Sequence, residues 1–183
     1  MKIFRFLLIL MTISFQFLIA QNLVIESEKG DSYIQYIIRH PLHTVKAIND
    51  EPKFLIEFDA KERKILRAEG IAEVVKFNSG NSNRDSHVME VVEALKYPVI
   101  SFKSNDIKLD GEDLTVFGLL TFHGITKEIT MKGKAKFEMN SLVVDGDFKI
   151  SLTEFKVKRP TLLFIPSDDS LKIIIHAKFN LPK

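Results

Sequence analysis

Three polar residues stand close enough together to act on one ligand: Arg84, Asp85 and His87, in the run Asn81-Ser82-Asn83-Arg84-Asp85-Ser86-His87. At the start of a helix, Arg84 and His87 would meet an anionic head group such as a phosphate, because exposed backbone N–H groups and the helix dipole favour negative charge there. The same residues also have a purely structural use. Ser82 and Asp85 carry the S-x-x-D spacing of a capping box, in which the hydroxyl accepts from the Asp85 amide and the carboxylate reaches back to the Ser82 amide. Arg84 and His87 would then tie the loop to a strand. Other chemistry finds little support. Of the five histidines, only His40 and His43 are close in sequence, while His87, His123 and His176 are scattered, and no H-E-x-x-H or Cys/His ligand spacing occurs. Ser79-Gly80 lacks the preceding Gly-x of a nucleophile elbow. With no cysteine, thiol chemistry and disulfides are excluded. The expectation from these motifs is no cofactor, no metal and no catalytic step.

The helix that would present Arg84 and His87 is short. Val88, Met89, Val92 and Leu95 recur at helical spacing and leave Glu90 and Glu93 to water. Tyr97-Pro98 ends it, because proline lacks an N–H and pushes its predecessor to extended geometry. Almost everything else alternates as strands. Residues 99–107 and 114–122 flank Asp110-Gly111, a strong hairpin signal. Gly70 reads as a bulge or bend, and Asp145-Gly146 as a bulge or tight turn. About eight strands in hairpin-linked order, with no strand-helix-strand unit, predict an all-β, up-and-down antiparallel β-barrel with one short helix. Such a barrel either fills with side chains or holds one ligand.

Two features bear on which of these applies. The chain has 15 phenylalanines and no tryptophan; Phe77, Phe102, Phe122, Phe148 and Phe179 sit in alternating strands, where most buried aromatics are simply core. In residues 114–122 the side chains of Leu114, Val116, Gly118, Leu120 and Phe122 share a face. Gly118 on that face is expected to leave space, so Gly118 and Leu120 are expected to line a cavity. Val116-Phe117-Gly118-Leu119-Leu120 is apolar on both faces, so its outer side needs a helix or a second copy; a homodimer is one expectation.

The first twenty residues read as a removable signal. Lys2 and Arg5 precede an apolar run over residues 6–19, and Ala20 precedes Gln21-Asn22. Cleavage after Ala20 would leave residues 21–183 as one domain, periplasmic or secreted. Of the 26 Lys and Arg, Lys2 and Arg5 fall in that segment, and the remainder matches the 24 Asp and Glu. A balanced chain lacks the concentrated positive charge that nucleic acid requires. The basic residues in 156–159 are read as a solvated loop or as a point of transient membrane contact with anionic lipid.

Three segments together resemble the YceI-like family of bacterial secreted lipid-binding proteins. Ser79-Gly80-Asn81 through Met89, followed by Lys96-Tyr97-Pro98-Val99-Ile100-Ser101-Phe102, is similar to the family's Gly-Asn, Arg-Asp-x-His and Tyr-Pro-x-Ile-x-Phe pattern. Residues 116–127, ending Thr121-Phe122-His123-Gly124-Ile125-Thr126-Lys127, resemble its Gly-x-Leu-Thr-x-x-Gly-Val-Thr-Lys hairpin, and residues 148–155 its late strand and turn. With residues 33–40, the resemblance covers nearly all of the chain after the signal. It implies a lipocalin-like barrel whose elongated apolar interior takes a polyisoprenoid or other amphiphilic lipid outside the cytoplasm. The residues expected to meet that lipid are Phe77, Arg84, His87, Met89, Phe102, Gly118, Leu120, Phe122 and Phe148. A filled barrel serving as a stress or interaction module is the alternative. Residues 156–166 depart from the family pattern, being longer and more basic than its glycine-containing turn.

Overall fold

The computed structural model describes residues 22–182, so the expected signal segment lies outside the described residues. The chain runs β1 (Asn22–Glu26), β2 (Tyr33–His40), β3 (His43–Asn49), β4 (Lys53–Asp59) and β5 (Lys64–Glu73). A 3-10 turn at Val74–Lys76 and helix α1 (Ser82–Val91) follow. Then come β6 (Val99–Asp110), β7 (Asp113–Phe122), β8 (Ile125–Phe137) and β9 (Ser141–Ser151), and a second 3-10 turn at Thr153–Phe155. The ribbon β10 (Thr161–Leu162) and β11 (Ile165–Pro166) precedes β12 (Ser170–Asn180). The fold is the expected antiparallel one with a single helix among the described residues, but with more strands than expected. β1, β3 and the small ribbon carry too few alternating apolar residues to stand out in the sequence.

Ten strands form one sheet in the order β1-β4-β5-β6-β7-β8-β9-β12-β2-β3. The sheet curls until its ends meet other parts of itself. β12 gives Leu171 to His176 to β2, while beyond them Ser27 bridges Phe179 and the Glu28 N–H donates to the Lys178 carbonyl at 2.8 Å. β3 is caught at its far edge by reciprocal hydrogen bonds between Ile48 and Asn78, 2.9 and 2.8 Å. Curling removes most exposed strand edges, as expected for a barrel.

The interior follows the period-two pattern. On β7, Leu114, Val116, Leu120 and Phe122 are buried while Leu119 faces out; on β9, Leu142, Val144, Phe148 and Ile150 are buried. Each such side chain stabilises the fold by roughly 1.5–3 kcal/mol through burial. The Asp110-Gly111 hairpin forms as expected, pairing Asp110 with Asp113, and Gly111 takes the positive φ of +60° that a two-residue turn requires there.

Several local expectations need correction. Gly70 is a regular strand residue between Phe54 and Phe102, and the bulge falls at Glu57/Phe58 instead. Asp145-Gly146 is neither turn nor bulge: Gly133 pairs with Gly146, and a Cβ on Gly146 would stand 2.9 Å from Met131 Sδ. The residue is glycine because a methionine fills its place. The helix is capped by Asn81, not Ser82. Asn81 is extended (φ −144°), and its side-chain oxygen accepts from the Arg84 N–H at 3.0 Å. Leu95 lies past the helix end and is fully exposed, so the apolar face of the helix closes with Val88, Val91 and Val92.

Candidate functional site: an apolar interior in two rooms

Two apolar cavities lie side by side within the curl of the sheet, each with a volume of about 110 Å³. The first is walled by β4 to β9 and β12, with Phe54, Phe102, Val116, Met131 and Ile175 among its side chains. The second lies under α1, between Tyr36 and Ile38 of β2, Phe77, Val88 and Val92, Phe122 of β7, and Val157 and Pro160. Ile100, Leu120, Phe148 and Ile173 line both, four shared side chains together termed the waist. Each room is several times the ~10–15 Å³ that one water centre occupies, yet apolar walls offer water no partners. Space of this kind favours a hydrocarbon guest.

Charge is nearly absent from these walls. Glu69 contributes to the first room while its carboxylate lies 3.4 Å from Lys103 Nζ on the exposed side. The second room has one polar side chain, the phenol of Tyr36, whose ring packs on Phe77 with centroids 5.5 Å apart. Burial, and next the negative charge of nearby Asp85, push that phenol up to about 12 from its ordinary 10.0, with Arg84 opposing.

Of the residues expected to meet a ligand, Phe77, Phe102, Leu120, Phe122 and Phe148 lie on these walls. Four others do not. Arg84 commits its guanidinium to Ser79, Nε donating to Oγ and Nη2 to the carbonyl oxygen, both at 2.8 Å. Asp85 accepts from the Ser79 N–H at 3.2 Å and from its hydroxyl. The Arg84/Asp85 pair therefore buttresses the loop before the helix. His87 is exposed, with Nδ1 3.9 Å from Glu90 Oε2. Met89 is half-buried and packs against the core without reaching a room wall. Gly118 leaves no free space, because the Phe102 ring occupies it.

Sequence reasoning missed Tyr36, Ile173 and the valines of α1. Their signal was present in the alternation of residues 33–40 and 171–181, but no turn or motif marked which face looks inward. It also gave no role to His123, which lies off both room walls and ties three segments together. Its Nδ1 lies 3.0 Å from the Phe155 carbonyl oxygen, its Nε2 2.8 Å from Glu93 Oε2, and the Tyr97 ring meets it edge-on. Among the described residues no group of three His, Cys, Asp or Glu converges as a metal site would.

Comparison with known proteins places these features. The family model described as the YceI-like domain matches residues 27–179, from just after β1 almost to the end of β12. The chain is 30% identical over 109 residues to protein YceI of an Escherichia coli strain, covering 55% of this chain and 57% of that one. It is 28% identical over 156 residues to a UPF0312 protein of Yersinia enterocolitica, covering 73% and 78%. A shorter match, 37% over 59 residues, reaches an Enterobacter UPF0312 protein. The chain thus spans 31% and 57% of the length of the first two relatives it matches. Among solved structures, Burkholderia cenocepacia BcnA superposes with a TM-score of 0.74 at 19% identity, over 83% of this chain and 98% of that one. A polyisoprenoid binding domain from Saccharophagus degradans, implicated in plant cell wall breakdown, superposes at 0.68 and 12% identity, over 88% and 100%. At those identities the likeness is one of fold.

Proposed function

The chain belongs to the YceI-like domain family, and on that premise we propose that it binds a polyisoprenoid or similar long-chain amphiphile in its two-room interior, without a catalytic step. The carrying observation is the waist. Because Ile100, Leu120, Phe148 and Ile173 stand between the two rooms, a chain that threads past them would occupy both, an elongated space that suits a chain better than a compact ring system. A fold-level neighbour that is a polyisoprenoid binding domain adds to the reading. So does the energetics: at about 0.8 kcal/mol per methylene, such a chain enters water only when something hides it.

Tyr36 supplies the polar end. Its buried phenol can donate to a phosphate or hydroxyl at the head of the chain while the isoprenoid units extend past Phe77 and the waist. Residues 1–20 fit a signal segment, so the proposal places the protein outside the cytoplasm, periplasmic or secreted, as a single domain from residue 21 onward.

Organic extraction of the protein purified without detergent, followed by mass spectrometry, tests the reading. A stoichiometric long-chain lipid is the expected result. Protein that yields none, and that takes up no polyprenyl phosphate from solution, would overturn it in favour of a filled interaction module.

A further inference from the structure

The ribbon β10–β11 presents its most apolar residues to water. Leu163 and Phe164 form its two-residue tip, 72% and 101% exposed, and Leu162 and Ile165 flank them, also exposed. Both tip residues have positive φ, 51° and 66°, the signature of a type I′ turn. Asparagine and glycine adopt that conformation readily, whereas leucine and phenylalanine do so against their steric preference. Neither folding nor solubility accounts for a large apolar pair at such a place. Leu95 and Met139 are as exposed, but single exposed apolar side chains are ordinary.

The base of the ribbon is held firmly. Arg159 donates through Nε to the Ser167 carbonyl at 2.7 Å, and the Ser167 N–H donates to the Pro160 carbonyl at 2.8 Å. His40 Nε2 meets the Ile165 carbonyl oxygen at 2.8 Å, and the Leu42 N–H donates to its Nδ1, which brings exposed Leu42 alongside. The tip therefore projects from a fixed base. Around that base, Lys156 and Lys158 have no carboxylate partner among the described residues, and Arg159 adds a third positive charge. Of the nearby acids, Glu154 is paired with Lys127 at 3.3 Å, while Asp169 accepts from Ser151 and Thr153 and stays charged. Asp168 and Asp169 stand against the basic residues, since the Ser151 and Thr153 hydroxyls hold the Asp169 carboxylate in its charged form, which leaves the three basic residues one charge in excess.

We propose that this ribbon is a membrane-docking finger: Leu163 and Phe164 enter the interfacial region of a lipid bilayer while Lys156, Lys158 and Arg159 lie against anionic head groups. An apolar tip above a basic collar matches the two layers of such a surface, hydrocarbon beneath negative charge. A narrow convex tip also suits a deformable lipid layer better than the broad self-complementary patch that a second copy needs. Val157 and Pro160, in the segment that leads into the ribbon, line the second room, so docking sets that room beside the bilayer. The docking is inferred from the ribbon; loading lipid through it rests on the function proposed above.

Flotation of the protein, in the form the expressing cell releases, tests it with vesicles of phosphatidylcholine alone or with added phosphatidylglycerol. The key variant is Leu163→Asn with Phe164→Gly, which installs the favoured Asn-Gly turn and so keeps the ribbon. Wild type should float with the anionic vesicles, and this variant should bind roughly tenfold more weakly or worse, as losing two apolar anchors implies. Lys156→Glu with Lys158→Glu should abolish the preference for phosphatidylglycerol. Flotation unchanged in the Asn-Gly variant overturns the proposal. So does a wild type that does not float but forms dimers which the variant abolishes, since the tip then serves a second copy. Lipid retention, read separately by mass spectrometry, reports on the cavity whichever way flotation falls.

Discussion

Gly118 and Phe102 occupy one volume: a Cβ on Gly118 would stand 2.5 Å from Phe102 Cζ and 2.5 Å from the Lys103 carbonyl oxygen. The glycine on β7 makes room for the protein's own ring and not for a ligand. Phe102 in turn reaches across the bulged part of the β6–β7 pairing to form a wall of the first room. Gly118→Ala is therefore expected to destabilise by about 1–3 kcal/mol, as overpacking does. The denaturant midpoint should fall with an unchanged slope. Combining it with Phe102→Leu should recover part of the loss. A Gly118→Ala protein as stable as wild type would show that the ring lies elsewhere.

The start of α1 supplies a second measurement. Asn81 Oδ1 accepts from the Arg84 N–H, whereas Ser82 is already the first helical residue and exposed. Asn81→Ala should cost about 0.5–2 kcal/mol, the usual loss for an N-cap. Ser82→Ala should stay within about 0.5 kcal/mol of wild type, as exposed substitutions without a special role do. The reverse order of effects would return the cap to Ser82.

These two cases show what the sequence could carry. Alternation told which residues of β7 and β9 share a face, and Asp110-Gly111 told where the chain doubles back, because both are local rules of backbone geometry. Tyr97-Pro98 likewise ended the helix where proline must. What occupies the space at Gly118 was not legible, because it depends on a side chain sixteen residues away, folded across a bulge. The cap slipped by one residue because Asn81 and Ser82 are both good caps, and only the extended φ of Asn81 separates them. Arg84 looked like part of a head-group site because its partner, Ser79, is undistinguished in the sequence. The waist was illegible for a further reason. Ile100, Leu120, Phe148 and Ile173 come from four strands and meet only when the sheet curls.

Tyr36 predicts an alkaline weakness. Its phenol is 9% exposed and raised to about 12, chiefly by burial and then by Asp85, against 10.0 in the unfolded chain. The fold thus holds this proton more tightly than the unfolded chain does. The contribution is whole below pH 10 and drains away as the pH rises towards 12, an amount of roughly 2–3 kcal/mol. Tyr36→Phe should lose less stability than wild type over that interval, read from denaturation curves at matched pH. Parallel losses in the two proteins would mean that the phenol titrates as freely as an exposed one.

The waist offers the sharpest test of the cavity. Ile173 sits on β12, paired with Phe148 of β9 on one side and Tyr36 of β2 on the other, and it lines both rooms. Ile173→Phe adds bulk at the wall the two rooms share. If the rooms are empty space for a chain, the ring fills that space and costs less than the about 1–3 kcal/mol typical of overpacking a dense core. The extracted lipid should then be lost, or replaced by one short enough to stay in a single room. Ile173→Ala widens the same point and should keep the long chain while losing about 2–5 kcal/mol of stability, as large-to-small core changes do. Mass spectrometry of organic extracts and melting curves of both variants read the two effects apart. Long-chain lipid retained undiminished by a stable Ile173→Phe protein would show that no chain passes the waist, and a single room would then have to hold the ligand.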